Sequence, residues 1–418
     1  MGIRLRLAET AQELDDVFWV RRQVYTVEEG KFDDGRSADR FLVDHFDAHP
    51  QCAKLIAYDG DEPIATVRVN LDTGAGLPPE LLYDFAAERD RINREWQVEH
   101  GVAPRLGSAG MLAVRSRWRR RRDVVRALFK LAATVGRTWG GTHILVAVNH
   151  ENEAMYRRLG FSAVGPKTWV DDIGNHIVPM VSTFSEMYSR TVGPRLDGIA
   201  LLKCFSNQFQ RVVYRAGEVI FSEFDEADEC YVIDVGSVKI TTTNAVDGRE
   251  LAFAMMGPGE LFGEMALIDS KTRSANAIAA SDTEVIVLRR DDFMQGLQQH
   301  PERLGIVLGF ISDRLRRTDE FAKLLAYGSA EQRIEFALKG LLESARLKQR
   351  ADGTSLLRAG PAELAAAAGT DVGEVIGFLE GLRERGICEF SDARIEFLRP
   401  YGRAHRATKR RPGGSGQA

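Results

Sequence analysis

Apolar residues run almost without interruption through AKLIAYDG (53–60) and PIATVRVNL (63–71), and the same texture returns at HILVAVN (143–149) and HIVPMVSTF (176–184). Short apolar runs bounded by glycine, aspartate or proline predict buried strands. Between them lie stretches with helical spacing, so residues 1–190 are expected to form a mixed α/β or α+β domain. From Arg211 the texture changes to short β-rich runs punctuated by glycine: RAGEVIF, ECYVIDVGSVKITTT, RELAFAMMGPGELFG and TEVIVLRR. That pattern predicts a compact all-β roll. A long helix is then predicted from about His300 to Tyr327, where LGIVLGFISDRLRRTDEFAKLLA carries an apolar stripe at helical spacing. The last unit, about 330–400, is predicted to run through three helices into a strand pair, ICEFSDARIEFL. TVGPRLDGIA (191–200) has the composition of a linker.

Length supports this division, because 418 residues exceed what one hydrophobic core usually serves. We expect a multidomain α+β chain: an α/β domain at 1–190, a linker at 191–199, a roll with its long helix at 200–328, a helical unit with a strand pair at 329–400, and a disordered basic tail at 401–418. No apolar run approaches the roughly 20 residues of a spanning helix, and the start, MGIRLRLAET, lacks the apolar core of a secretory signal. Cys52, Cys204, Cys230 and Cys388 show neither paired nor metal-ligand spacing. A soluble protein of the reducing cytoplasm, without a metal centre, is therefore expected. The net charge of −4 offers no global attraction to nucleic acid. Any such binding must come from RWRRRR (117–122) or the tail RPYGRAHRATKRRPGGSGQA.

The sharpest chemistry lies in GELFGEMALIDSKTRSANAIA, Gly259 to Ala279. A cyclic phosphate needs a fixed cation, and a ribose 2′-hydroxyl is well held by a carboxylate. Arg273 and Glu264 supply both, on a turn opened by Gly263, while small residues at Ser274 and Ala275 let backbone N–H groups approach an anion. A surface ion pair on a β-sandwich would be the plain alternative. The stretch from Phe262 to Ala275 resembles the phosphate-binding cassette of the cyclic-nucleotide-binding family, which includes the bacterial catabolite activator; Thr272 stands where that family commonly has proline. The resemblance implies Gly263, Glu264, Met265, Arg273, Ser274 and Ala275 as nucleotide contacts. It further implies Thr318 as the residue meeting an adenine, cAMP as the preferred effector, and a homodimer formed through the long helix.

In the amino-terminal part, AGMLAVRSRWRRRRDVVRALFKLAATVGRTWGGTHILVAVNHENEAMYRRLGF (109–161) orders a strand, a basic turn, a helix, a strand and a helix bearing Tyr156. This resembles the GNAT acyltransferase fold. VRRQVYTVEEGKF, with DHFDAHPQCAKLIAYDGDEPIATVRVNL, is similar to its N-acyl amino acid synthase and acyl-homoserine-lactone synthase branch. The resemblance implies that Val114 and Arg119, Arg120, Arg121 and Arg122 meet an acyl donor, either acyl-CoA or an acyl carrier protein thioester. Arginine and valine replace the family's usual glycines at Arg122 and Val124, so side chains rather than backbone would carry phosphate contacts. Tyr156 is the implied acid for the leaving thiolate, and Glu28 or Glu29 could serve as base. A tyrosine buried with its hydroxyl satisfied, and solvated glutamates, are the structural alternatives.

PAELAAAAGTDVGEVIGFLEGLRERGICEFSDARIEFL (361–398) resembles the winged helix-turn-helix of the catabolite-activator family. Leu364, Ala365, Gly369, Val375, Leu379, Leu382 and Gly386 fall at its core and turn positions. Its base-reading positions hold Val372, Gly373 and Gly377 among Asp371, Glu374 and Glu380, a set without bidentate base donors and with charges that repel phosphate. The leading expectation is a cyclic-nucleotide-regulated N-acyltransferase moving an acyl group from a thioester to an amine. The competing one is a cAMP-responsive DNA-binding transcription regulator with an acyl-binding amino-terminal domain.

Overall fold

The computed structural model describes residues 2–31, 40–171, 173–192, 210–243, 250–343, 347–349, 354–357 and 359–398. In the amino-terminal part, β1 (Ile3–Leu7) leads to α1 (Ala11–Arg21), which runs on into a π-helical turn at Arg22–Glu28. Then follow β2 (Cys52–Asp59), β3 (Glu62–Leu71), α2 (Ala86–His100), β4 (Leu106–Val114), α3 (Arg122–Thr138) and β5 (His143–Asn149). α4 (Glu153–Arg158), β6 (Ser162–Ala163), β7 (Thr168–Val170), β8 (Asn175–Thr183) and α5 (Phe184–Val192) complete it. Thr10 starts α1 by capping the Glu13 N–H while Glu13 reaches back, a reciprocal box that satisfies two free donors. The strands join in the order β1-β2-β3-β4-β5-β8-β6. α3 buries Val124, Leu128, Leu131 and Val135 against this sheet, in one core with Leu5, Leu55, Val67 and Ile144. Helical spacing of apolar residues is what gives α3 that single inward stripe.

The roll comprises β9 (Arg211–Tyr214), β10 (Val219–Phe221), β11 (Glu229–Val235), β12 (Val238–Thr243), β13 (Glu250–Met256), β14 (Leu261–Phe262), α6 (Glu264–Asp269), β15 (Asn276–Ala279) and β16 (Thr283–Arg289). Its strands form two layers, β14-β11-β16-β9 and β10-β15-β12-β13, around Val212, Ile233, Val238, Ala277, Val285 and Val287. α7 (Arg290–Gln299) and α8 (Leu304–Tyr327) follow, so the long helix begins after a short 3-10 turn at Pro301–Arg303. The final unit holds α9 (Ala330–Glu343), β17 (Leu347–Gln349), β18 (Ser355–Leu357), α10 (Pro361–Ala368), α11 (Val372–Glu384), β19 (Cys388–Ser391) and β20 (Arg394–Phe397). Leu364, Ala365, Val375, Leu379 and Leu382 are buried together there, and Gly369 and Gly386 take the left-handed turns that glycine tolerates best.

Three expectations change. The linker does not begin at 191: Thr191 belongs to α5, buried with its hydroxyl donating to the Met187 and Tyr188 carbonyls, and residues 193–199 lie outside the described residues. The basic tail at 401–418 lies outside them too. A pair of three-residue strands, β17 and β18, extends the expected strand pair to a four-stranded sheet; three residues are too few for alternation to signal. Finally, the amino-terminal sheet and the roll are not separate, because β9 pairs antiparallel with β1 (Ile3 with Val213, Leu5 with Arg211) and makes one continuous 12-stranded sheet.

Candidate functional sites

The first site is built where α6 starts. Gly263 has φ +77°, and a Cβ there would stand 2.7 Å from Arg273 Nη1, so glycine is required on both counts. Arg273 is 4% exposed. Its Nη1 donates to the Gly263 carbonyl at 2.8 Å and its Nη2 to the Glu229 carbonyl at 2.7 Å, while the guanidinium lies 4.1 Å over the Phe221 ring. Its Nε is buried with no hydrogen-bond partner among the described residues. Glu264 is 1% exposed; its Oε1 is ion-paired with Arg314 of α8, while its Oε2 has no hydrogen-bond partner among the described residues. Groups buried in this condition are costly unless something completes them. An anion beside a hydroxyl would complete both. Ser274 and Met265 are exposed and Ala275 is buried; Thr318 is exposed one turn beyond Arg314, with its hydroxyl donating to the Arg314 carbonyl.

The second site lies where β4 and β5 part. These parallel strands pair only over Leu106–Ser108 and His143–Leu145. In β4 the register against β3 then slips, with Ala113 opposite Thr66 but Gly110 opposite Arg68, and Met111 takes φ +52°. Such a bulge turns backbone groups out of the ladder. Tyr25, from the π-helical turn, fixes it by donating to the Leu112 carbonyl at 2.9 Å. Tyr156 closes the other wall. Its ring is 6% exposed and packs edge-on against Phe129 and Phe161, yet none of the described residues hydrogen-bonds its hydroxyl. Burial pushes the Tyr156 phenol well above its ordinary value, so it is protonated at neutral pH.

The basic turn sits at the same end, between Val114 and α3. Two of its four arginines are engaged by acids. Arg119 donates to Glu28 at 2.8 Å and Glu29 at 3.2 Å, and through Nε to the Val114 carbonyl. Arg121 makes a forked pair with Asp123 in the first turn of α3. Arg120 and Arg122 are exposed. Glu28 also accepts the Ser116 N–H at 3.0 Å, so both glutamates expected as bases are tied to the donor turn rather than free.

A third cluster was not anticipated. Arg21, 0% exposed, grips Asp47 with Nη1 at 2.9 and 2.8 Å; Arg68 pairs with Asp44 and reaches Asp47 at 3.2 Å; and the Lys54 ammonium donates to the Asp47 carbonyl. Burial opposes ionisation of Asp47, but the two guanidinium groups outweigh it and hold the carboxyl below its usual range. Arg21 Nε and Nη2 and Arg68 Nε are buried without hydrogen-bond partners among the described residues. The signal was present in the sequence: an arginine inside an apolar strand, TVRVN, and the acid pair of DHFD.

A bulged, splayed sheet with a buried phenol beside it is thus joined to a roll that buries an arginine and a glutamate. The family model for the N-acyl amino acid synthase FeeM matches residues 16–183, and that for the cyclic nucleotide-binding domain matches residues 211–300. The cyclic AMP receptor protein of Thermus thermophilus is 35% identical over 188 residues, 45% of this chain and 83% of that protein. A CRP-like cAMP-activated global transcriptional regulator of Mycobacterium tuberculosis is 29% identical over 155 residues, 37% of this chain and 67% of its own length. Among solved structures, FeeM from uncultured soil microbes matches at 17% identity and TM-score 0.37, covering 47% of this chain and 99% of its own. A CRP/FNR-family transcriptional regulator from Thermus thermophilus matches at 25% identity and TM-score 0.38, covering 45% and 93%. The chain belongs, through its carboxy-terminal part, to the cyclic AMP receptor protein family, and it carries ahead of that part an acyltransferase domain of the N-acyl amino acid synthase type. No helix among the described residues is long and apolar enough to cross a membrane.

Proposed function

We propose that this protein transfers an acyl group from a thioester, acyl-CoA or acyl carrier protein, to an amine, and that a cyclic nucleotide bound in its roll, cAMP in preference, regulates the transfer. The supporting observation is that two incomplete sites share one chain: Glu264 Oε2 and Arg273 Nε buried without hydrogen bonds, and a Tyr156 hydroxyl at the splayed sheet, all lacking a partner among the described residues. In the roll, Arg273 takes the cyclic phosphate with the Ser274 and Ala275 backbone, Glu264 takes the ribose hydroxyl, and Thr318 faces the base.

In the acyltransferase domain the donor arm lies in the opening between β4 and β5, an edge able to accept an extended chain through its free backbone groups. Amine attack forms the C–N bond and breaks the C–S bond; the departing thiolate takes the Tyr156 proton, and the proton that Glu28 removes from the amine is returned to the tyrosinate, so thioester plus amine becomes amide plus thiol with no net proton change. A donor phosphate arriving at the basic turn competes for Arg119 and frees Glu28 to accept the amine proton, so donor binding and base release are one event. A homodimer forms through α8, whose Leu308 and Leu315 are exposed in the isolated chain.

The 361–398 segment keeps the buried positions of a winged helix but presents Val372, Ile376, Asp371, Glu374 and Glu380 to solvent, with the nearby Arg383 paired to Glu380, an acid-rich face that repels phosphate. The deciding experiment is acyl transfer by the full chain to a panel of amino acids, with products weighed by mass spectrometry, with and without saturating cAMP. An N-acyl amino acid whose rate of formation depends on nucleotide is the expected result. No acylated product, with nucleotide-dependent retardation of specific DNA instead, would replace this reading by that of a regulator.

A further inference from the structure

Two bonds separate the nucleotide arginine from the acyltransferase sheet. The Glu229 carbonyl accepts from Arg273, and its side chain, pinned by the Tyr231 hydroxyl at 3.1 Å, receives both Nη atoms of Arg4 in β1 at 2.8 and 3.0 Å. Glu229 opens β11. At the far end of the same strand Asp234, fully buried, accepts from the Lys130 ammonium at 2.9 Å, and Glu284 on the adjoining β16 accepts from it at 2.8 Å. Arg211 of β9 bonds the same two carboxylates.

Lys130 belongs to α3, the helix whose start carries the basic turn and whose Phe129 packs edge-on against Tyr156 at 5.5 Å. A lysine 1% exposed on the apolar face of a helix is unusual. Here it is neutralised by acids from another domain. Apolar side chains would glue this seam at least as well, whereas a four-charge cluster holds only one arrangement of its partners.

We infer that β11 is a strut between the two sites, with Arg4, Glu229, Asp234 and Lys130 transmitting nucleotide binding at Arg273 to α3 and Tyr156. The inference rests on the nucleotide-regulated reading above and names its route. Arg273 gives Nη2 to the Glu229 carbonyl before binding; a cyclic phosphate competes for that donor, β11 adjusts at its Glu229 end, and its Asp234 end carries the change to Lys130. Lys130 is on this account a positioning residue, acting on Tyr156 through Phe129. Because coupling is reciprocal, acyl donor bound at the turn alters nucleotide affinity by the same factor.

The test uses the full chain and three variants: Arg4→Gln, at the half-exposed end; Lys130→Met; and Lys130→Met with Glu284→Gln, which keeps the buried cluster neutral should the single change fail to fold. Calorimetry measures cAMP binding, and steady-state assays measure the acyl-transfer rate with and without it. Amide hydrogen exchange follows α3. Wild type should change rate by about fivefold or more on saturation and should change protection in α3. Arg4→Gln should bind cAMP within about threefold of wild type and keep the basal rate, and in both Arg4→Gln and the neutral double variant, whatever the latter's basal rate, the response to cAMP should shrink towards unity. A full wild-type response in these folded variants overturns the strut and leaves regulation standing. A wild-type rate indifferent to bound cAMP overturns regulation itself; unaltered α3 exchange on cAMP binding overturns the strut whatever the rates do.

Discussion

Two groups of arginines in this molecule are built in opposite ways. Arg273 is nearly sealed from water, stacked on Phe221 and held by two backbone carbonyls, with no carboxylate hydrogen-bonded to it. Arg119 and Arg121 are partly exposed and already matched by Glu28, Glu29 and Asp123, with Arg120 and Arg122 open to solvent beside them. A buried, pre-aimed cation suits one small anion, for which it has surrendered its water in advance. Exposed, exchangeable ion pairs suit a large donor whose phosphates, or whose acidic carrier, displace weak partners one at a time.

The largest effect should come from the buried arginine. Arg273→Leu is expected to lower cAMP affinity at least 100-fold, about 3 kcal/mol, read by calorimetry on protein whose melting curve shows an intact roll; undiminished affinity would break the comparison. Tyr156→Phe should lower turnover about 100-fold with little change in donor KM, since the ring stays and only the proton is lost; a change confined to KM would make Tyr156 a packing residue. Arg120→Gln with Arg122→Gln should raise donor KM several-fold, and raising ionic strength from roughly 0.05 to 0.5 M should do the same in wild type while hardly moving cAMP affinity. Equal salt dependence at both sites would erase the distinction drawn between them.

The smallest effect concerns the seam. Burial opposes ionisation of Glu229, but the Arg4 bond outweighs it and keeps the carboxyl below its ordinary value. The stability it adds is therefore complete above the unfolded value of about 4.3 and is lost as pH falls through the lower folded value. Thermal melts should show wild type losing about 1 kcal/mol more than Glu229→Gln across that acid window; identical acid profiles would show that the pair contributes nothing.

What could be read from the chain was whatever is local. Apolar runs located β2, β3, β5 and β8, glycines marked the turns of the roll, and the cassette from Phe262 to Ala275 announced its chemistry because its groups are neighbours in sequence. The seam was invisible for the converse reason. Ile3 and Val213 are partners across the whole amino-terminal domain, and nothing in a five-residue strand says which edge it will join. Buried charges hid equally well. Lys130, Arg68 and Asp234 lie in segments whose other residues are apolar, and a lone charge there is ordinarily turned to solvent. Glu28 and Glu29 misled differently: the residue types suited a base, but only folding brings Arg119 across to occupy them.

The pairing of β1 with β9 bears on any attempt to cut the protein into pieces. An enzyme fragment ending near residue 190 would carry a bare strand edge along Ile3–Leu7, an invitation to aggregate, and would leave the Lys130 ammonium stranded in a greasy hollow once filled by Asp234 and Glu284. A sensor fragment would inherit the complementary defect, two buried acids with Arg211 alone to answer them. Because the two halves share one sheet and one buried charge cluster, activity has to be assayed on the whole chain.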